Sequence, residues 1–414
     1  MKEIIHKYKT VIANFSYLTL LQIINIILPL VTYPILISRL GSEVFGLVIF
    51  AQTVVIYFSV LINFGFGISA TKAIANAKYD KRKINEIVSA VYILKAFLFV
   101  ASFVIYIILL FTVEVFYNHM FLFFISFFAT LFEFLFPQWY FQGVERMRYI
   151  TILGVCSKVL FTLLIFIFVK NSSDYVLVPL FNVIGFLVIG VWSLYILVRK
   201  ECITFRRLPL HVLKVYLYDS WPLFLSAASI QLYVNANKLI IGSFLGMRDV
   251  AIYDLGEKVL KLLKVPIRMI GQASFPSLAR NKSINEINRY LLVAMALIMF
   301  CLSLVNIFSK DIILLLAGPN LLDAEIIVRL LTFSTIFIVI SQFMGNSRMI
   351  IFGFHKQYSL VISISVLYFI VSTFLLFIIN KLGLVALTLN SIFVEVIGAF
   401  LMVLFCYRKK ILFS

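Results

Sequence analysis

The sequence predicts an all-α integral membrane protein, with twelve transmembrane helices in two six-helix lobes around a central cavity and both termini in the cytoplasm. Three observations carry that expectation. Of 414 residues, 63% are hydrophobic and only 13% charged, whereas soluble domains are nearer half apolar with about a quarter of their residues charged. Apolar runs of membrane-spanning length recur along the whole chain. Basic residues collect in every second gap between those runs.

A bilayer core of ~30 Å takes about 20 helical residues. Runs of that kind fall at 11–39, 45–70, 86–110, 118–142, 149–169, 176–198, 216–243, 251–277, 289–309, 324–350, 357–379 and 384–407. The first run is too long for a signal peptide and has no small-residue cleavage site, so residues 1–10 are expected to form an interfacial segment leading into the first span. The N-lobe is then 11–198, a basic cytoplasmic linker 199–215, the C-lobe 216–407 and a cytoplasmic tail 408–414.

Charge tests the count independently. With the N-terminus inside, 22 of the 36 Lys and Arg fall in cytoplasmic segments and 5 in outer loops, as the positive-inside rule requires for an even number of spans. The net charge of +18 therefore reads as topology rather than as a nucleic-acid surface. Cys156, Cys202, Cys301 and Cys406 show no pairing pattern. The four histidines fall in or near loops, which leaves no metal site in the membrane, and no nucleotide-binding motif is present.

The 199–215 linker divides the chain into halves with a faint repeat. Leu40-Gly41 after the first span matches Leu245-Gly246 after the seventh, and "FQGVERM" after the fourth echoes "IFGFHKQ" after the tenth. Two parallel repeats about an axis normal to the membrane describe a transporter with a cavity between lobes.

Nine cations remain inside predicted spans: Lys95, Lys158, Lys238, Lys258, Lys261, Lys264, Arg268, Arg329 and Arg348. Each would cost ~2.5–3.5 kcal/mol at the centre of a lipid-facing helix. For Lys95, Arg268, Arg348, Lys238 and Arg329, near span ends, snorkelling or local pairing is an equal alternative. Lys158 and Lys264 lie near the middle of theirs. In "YDLGEKVLKLLKVPIRM" of the eighth span, Lys258, Lys261, Lys264 and Arg268 share one ~120° helix face. Asp254 can pair with Lys258, and Glu257 with Lys261, at i,i+4. Lys264 and Arg268 have no acid in reach on their own helix, which implies a wet, electropositive cavity. Two acids in apolar stretches, Glu133 and Glu395, are candidates either to carry a coupling proton or to neutralise a cavity lysine. Amides such as Gln52, Asn63, Gln231 and Asn235 suit interhelical glue and sugar hydroxyls alike.

The segment "LFPQWYFQGVERM" closes the fourth span. Pro137 should kink the helix, Trp139 and Tyr140 suit the headgroup belt, and Gly143 should end the helix. Pro137, Trp139, Gln142, Gly143, Glu145 and Met147 resemble, position for position, a Pro-x-Trp-x-x-Gln-Gly-x-Glu-x-Met segment of bacterial O-antigen (Wzx-type) polysaccharide-repeat flippases. These belong to the multidrug/oligosaccharidyl-lipid/polysaccharide exporter superfamily. The turn at Arg39 to Gly46, the segment from Asn63 to Ala73 and that from Leu245 to Tyr253 are similar to the same family. The resemblance implies a cationic cavity that takes an undecaprenyl-pyrophosphate-linked oligosaccharide from the cytoplasmic to the periplasmic leaflet of the bacterial inner membrane. It implies no cofactor, coupling to a H+ or Na+ gradient, and membrane lipids and the polymerase and chain-length proteins of the same pathway as partners. Lys158, Lys264, Arg268, Lys95, Lys258 and Lys261 are the expected substrate contacts.

Three other functions compete with this reading. A multidrug exporter of the same superfamily would want an acidic cavity for cationic drugs. An O-antigen polymerase or ligase would want a large catalytic outer loop. The peptidoglycan-precursor flippases, close cousins, carry spans beyond twelve.

Overall fold

A computed structural model describes residue 14 and residues 16–77 and 80–412, with the first helix traced in backbone from Lys2 and Pro276 in backbone only. Met1, Lys78 and residues 413–414 of the tail lie outside the described residues, and the interfacial segment expected at 1–10 is traced in backbone from Lys2 as the start of the first helix. Among those described, every regular element is helical. The first six helices are α1 (Lys2–Leu40), α2 (Ser42–Asn63), α3 (Phe66–Asn76), α4 (Lys81–Thr112), α5 (Glu114–Asn118) and α6 (Met120–Phe127). There follow α7 (Leu131–Leu135), α8 (Gln138–Gly143), α9 (Met147–Phe168), α10 (Leu177–Tyr195), α11 (Leu210–Phe244) and α12 (Met247–Asn281). The last are α13 (Ile284–Ile307), α14 (Ser309–Ala317), α15 (Glu325–Phe333), α16 (Thr335–Ser341), α17 (His355–Ile378) and α18 (Leu384–Arg408).

Ten helical stretches among the described residues are long and apolar enough to cross a membrane. The long helices α11 and α12, 35 residues each, fall outside that set because they are the polar ones. Together they carry Asp219, Gln231, Asn235, Lys238, Asp254, Glu257, Lys258, Lys261, Lys264 and Arg268. Lipid is the natural solvent for the outer faces. Phe97, Val100, Val104, Ile108 and Phe111 form an exposed stripe down α4, and Leu360, Leu367, Val371 and Phe374 do the same on α17. Such stripes would be an aggregation liability in water.

The chain divides into two compact units, Met1–Leu239 and Ile240–Ser414. The division falls inside α11, because the first part of that helix packs on the first unit. Phe224 stacks on Phe64 with ring centroids 4.5 Å apart, and Ser220 bonds Ser69 at 2.7 Å.

In the first unit the span expected at 45–70 is broken. Phe64 and Gly65 both take left-handed backbone (φ 48° and 78°), which ends α2 and starts α3. A side chain at Gly65 would also meet the α11 backbone, 2.8 Å from Phe224 N and 2.9 Å from Ser220 O. Only glycine satisfies both demands. The core of this unit gathers Phe66, Ile84, Ile87, Tyr92, Trp139 and Phe141.

In the second unit, Ile267, Leu278, Ile287 and Phe343 form one apolar cluster and Met344, Met349, Met402 and Cys406 another. The repeat seen in the sequence has a local counterpart in each unit. Gly41 enters α2 and Gly246 enters α12, both at positive φ.

The packing of α8 on α3 is set by Gly143, where an added methyl would sit 2.7 Å from the Ile74 side chain and 3.1 Å from Thr71 O. Gly143→Ala is expected to destabilise the protein by ~1–3 kcal/mol through overpacking, read as a lowered unfolding midpoint in detergent. Gly383→Ala, at a glycine with nothing within 4 Å, is expected to leave that midpoint unchanged.

Candidate functional site

The fourth span is where charge, proline and cavity meet. Pro137 separates α7 from α8, with Phe136 extended between them (φ −91°, ψ 106°). A helix gives the carbonyl four residues before a proline no N–H, and that carbonyl here is Glu133's. Lys95 of α4 fills the vacancy: its Nζ donates to Glu133 O at 2.7 Å. The carbonyl of Leu135 accepts from Tyr92 Oη at 3.2 Å and from Ser193 Oγ at 3.3 Å. Two carbonyls at the break, those of Glu133 and Leu135, are thus bonded by side chains of α4 and α10.

The Glu133 side chain turns the other way. Its Oε2 accepts from Asn63 Nδ2 at 2.7 Å, and Asn63 Oδ1 in turn accepts the Gly67 N–H at 3.1 Å. Glu133 and Asn63 stand on the wall of a cavity of about 700 Å³ inside the first unit. Gln52 and Ser59 of α2, Asn182 of α10 and Gln231 of α11 supply further polar groups, and Phe132 and Phe186 an apolar patch. Lys95, expected as a cavity cation, is only 2% exposed and spends its charge on the Glu133 main chain.

The rest of the fourth-span motif is structural in its contacts. Trp139 and Tyr140 are not in a headgroup belt but buried, 3% exposed each, because the break after α7 turns α8 inward onto the core. Tyr140 Oη donates to Glu201 Oε2 at 3.1 Å, and Arg146 forms an ion pair with the same carboxylate. Glu145 takes left-handed backbone (φ 58°), and its carbonyl accepts from Asn14 Nδ2 at 3.0 Å. Gln142 and Met147 are half-buried, and Met147 packs against the core. Glu201 belongs to the segment after α10. That segment is pinned to α4 by Asn85, which donates to Thr204 Oγ1 at 2.7 Å, and by Ser89 Oγ, which accepts the Arg206 N–H at 2.9 Å.

The second unit holds the cationic helix. On α12, Lys261 Nζ bonds Glu257 Oε2 at 2.9 Å, the i,i+4 pair read from the sequence. Lys258 and Lys264 are half-buried, and Arg268 is exposed. Glu395 of α18 lies within electrostatic reach of Lys264. Of the other intramembrane cations, Arg329 pairs with Glu325 at 2.6 Å. Arg348 is fully buried, bonded to Asn288 and to Met344 Sδ, so it does not snorkel. Lys158 of α9 is half-buried in the first unit. The structure therefore brings Glu133 together with Lys95 in one unit and Lys264 together with Glu395 in the other.

Sequence reasoning missed Asn182, Glu201 and the service Lys95 gives to the proline break. Asn182 was visible as a lone amide in an apolar run, a pattern that marks function in membrane helices. Lys95 needed the pairing of α4 with α7, which no spacing encodes.

Residues 11–282 match the family described as polysaccharide biosynthesis protein. Two relatives share the name "Putative O-antigen transporter". The one from Escherichia coli (strain K12) is 28% identical over 357 residues, covering 84% of this chain and 86% of that protein. The one from Shigella dysenteriae is 30% identical over 267 residues, covering 64% and 67%. Among solved structures, the lipid II flippase MurJ in an inward closed conformation has a TM-score of 0.76 at 13% identity, covering 95% of this chain and 87% of that one. An inward-facing multidrug resistance MATE transporter of the MOP superfamily scores 0.68 at 14% identity, covering 92% and 97%. At such identities the likeness shows a common fold.

The link between Pro137 and Lys95 is open to a double-mutant cycle. Lys95→Met leaves the Glu133 carbonyl without a donor, a loss of ~1–3 kcal/mol. Pro137→Ala gives that carbonyl a backbone N–H, so Lys95→Met is expected to cost less in its presence, with a coupling of ~1 kcal/mol or more in unfolding measurements. Effects additive within ~0.5 kcal/mol would mean that the two residues act separately.

Proposed function

This chain belongs to the polysaccharide biosynthesis protein family, and from that premise we propose that it is a flippase for lipid-linked oligosaccharide. It is a transporter rather than an enzyme. In this reading its cargo is an oligosaccharide on undecaprenyl pyrophosphate, an O-antigen or related repeat unit. The cargo passes from the cytoplasmic to the periplasmic leaflet of the bacterial inner membrane. Twelve spans in two lobes, with both termini in the cytoplasm, alternate between inward and outward access while the lipid tail stays in the bilayer. The polymerase and chain-length proteins of the pathway receive the product.

The observation that carries the reading is the α12 stripe. Lys258, Lys261, Lys264 and Arg268 lie within ~120° of one helix face; Lys261 is bonded to Glu257 and Lys258 is engaged too, so Lys264 and Arg268 are the pair that carries the reading. Arg268 is exposed. A chain does not carry such a face across a membrane to present it to hydrocarbon. A pyrophosphate supplies the negative charge and the oxygen acceptors that ammonium and guanidinium groups bind in short, strong hydrogen bonds. Net positive character on this helix also argues against a cationic drug as cargo. Glu133 and Glu395 are the two intramembrane acids suited to couple transport to a H+ or Na+ gradient, since each already lies beside a lysine.

The test is complementation of a deletion strain, scored for surface polysaccharide and for accumulated lipid-linked intermediate. Lys264→Gln combined with Arg268→Gln is expected to lower surface polysaccharide at least tenfold and to raise the intermediate. Lys264→Arg with Arg268→Lys is expected to retain most activity. Full export from the doubly neutral variant at normal protein levels would remove the cationic helix from the mechanism.

A further inference from the structure

We propose that the cavity inside the first unit is a glycan site, which takes a neutral pyranose ring of the cargo through amide and carboxylate hydrogen bonds. This rests on the flippase reading and assigns the sugar moiety a place of its own.

Hydrogen bonding on the wall is uneven. Asn63 is engaged by Glu133 and Gly67. Gln231 Oε1 accepts from Asn235 Nδ2 at 2.8 Å. Gln52 and Asn182, half-buried on two different helices, have no hydrogen bond to protein among the described residues. A primary amide offers two donors and two acceptor lone pairs. Holding such groups unbonded between apolar helices is unfavourable unless something polar meets them. Sugar hydroxyls, each a donor and an acceptor, meet both halves of an amide.

The charge on the wall decides which part of the cargo fits. The Glu133 carboxylate gives one hydrogen-bond acceptance to Asn63 and keeps acceptor capacity for neighbouring hydroxyls. The same carboxylate repels a pyrophosphate, so the anionic end of the cargo belongs elsewhere. The apolar patch suits a sugar as well. Phe132 and Phe186 lie 4.7 Å apart at 40° and offer ring surface to the C–H face of a pyranose. A volume of about 700 Å³ falls within the ~300–1,000 Å³ of small-molecule sites. Along α2, Gln52, Ser59 and Asn63 recur on one face, a polar edge ~16 Å long at 1.5 Å per residue, enough for more than one ring.

The experiment uses the full chain in nanodiscs with two probes: the strain's own undecaprenyl-pyrophosphate-linked oligosaccharide and sugar-free undecaprenyl pyrophosphate. Gln52→Leu and Asn182→Leu remove side-chain amides that make no bond to protein among the described residues, so their unfolding midpoints are expected to match the native protein. Each is expected to weaken the glycan-bearing lipid roughly tenfold and to leave the sugar-free lipid within about twofold. Unchanged affinity for the glycan-bearing lipid in both variants overturns the proposal, as does an equal loss for the two probes. Native protein that binds both lipids alike overturns the glycan site and leaves the flippase reading standing. Native protein that binds neither overturns the flippase reading, and the glycan site with it.

Discussion

The missing N–H of Pro137 organises the first unit. Its consequence is an orphaned carbonyl at Glu133, and the donor that meets it is a lysine from another helix, at 2.7 Å. The Glu133 side chain then bonds Asn63, and Asn63 bonds the first turn of α3. One chain of hydrogen bonds thus joins α4, α7, α2 and α3. Each link answers a cost that lipid-buried polar groups cannot escape. The break in α2 at Phe64 and Gly65 belongs to the same chain, since it is the start of α3 that places the Gly67 N–H under Asn63.

That chain also explains how a membrane protein with nine intramembrane cations stays folded. Lys95, Arg329 and Arg348 are held by local partners: a carbonyl, a carboxylate, and an amide with a thioether. Their charge is spent within the unit that carries it. On α12 four cations share one face: Lys261 is paired with Glu257, Lys258 is engaged as well, and Lys264 lies within electrostatic reach of Glu395. Charge that is spent stabilises a fold.

Much of this was legible in the sequence. Ten of the twelve apolar runs reappear as helices long and apolar enough to span a membrane, and α11 and α12 lie where the seventh and eighth runs were read. The pair Glu257–Lys261 followed from spacing alone, because i,i+4 geometry is local. What spacing could not supply was contact between helices distant in sequence. Lys95 and Glu133 are 38 residues apart, so Lys95 read as one more unpaired cation. Trp139 and Tyr140 fitted a belt by residue type, yet the break at Pro137 folds them into the core. The cavity amides were visible in part, as Gln52, Asn63 and Gln231, but nothing in one dimension showed that they face a common space.

The motif around Pro137 carries the family resemblance most densely. Each of its parts has a mechanical task. Pro137 breaks the helix, Trp139 and Tyr140 anchor α8 in the core, and Gly143 lets α8 approach α3. Glu145 turns the chain, while Arg146 and Tyr140 bind Glu201 of the following segment. None of these contacts requires a sugar. Such a motif marks a joint of the fold. Gln52 and Asn182 stand outside that motif: each lines the cavity, and among the described residues neither side chain makes a hydrogen bond to another part of the protein.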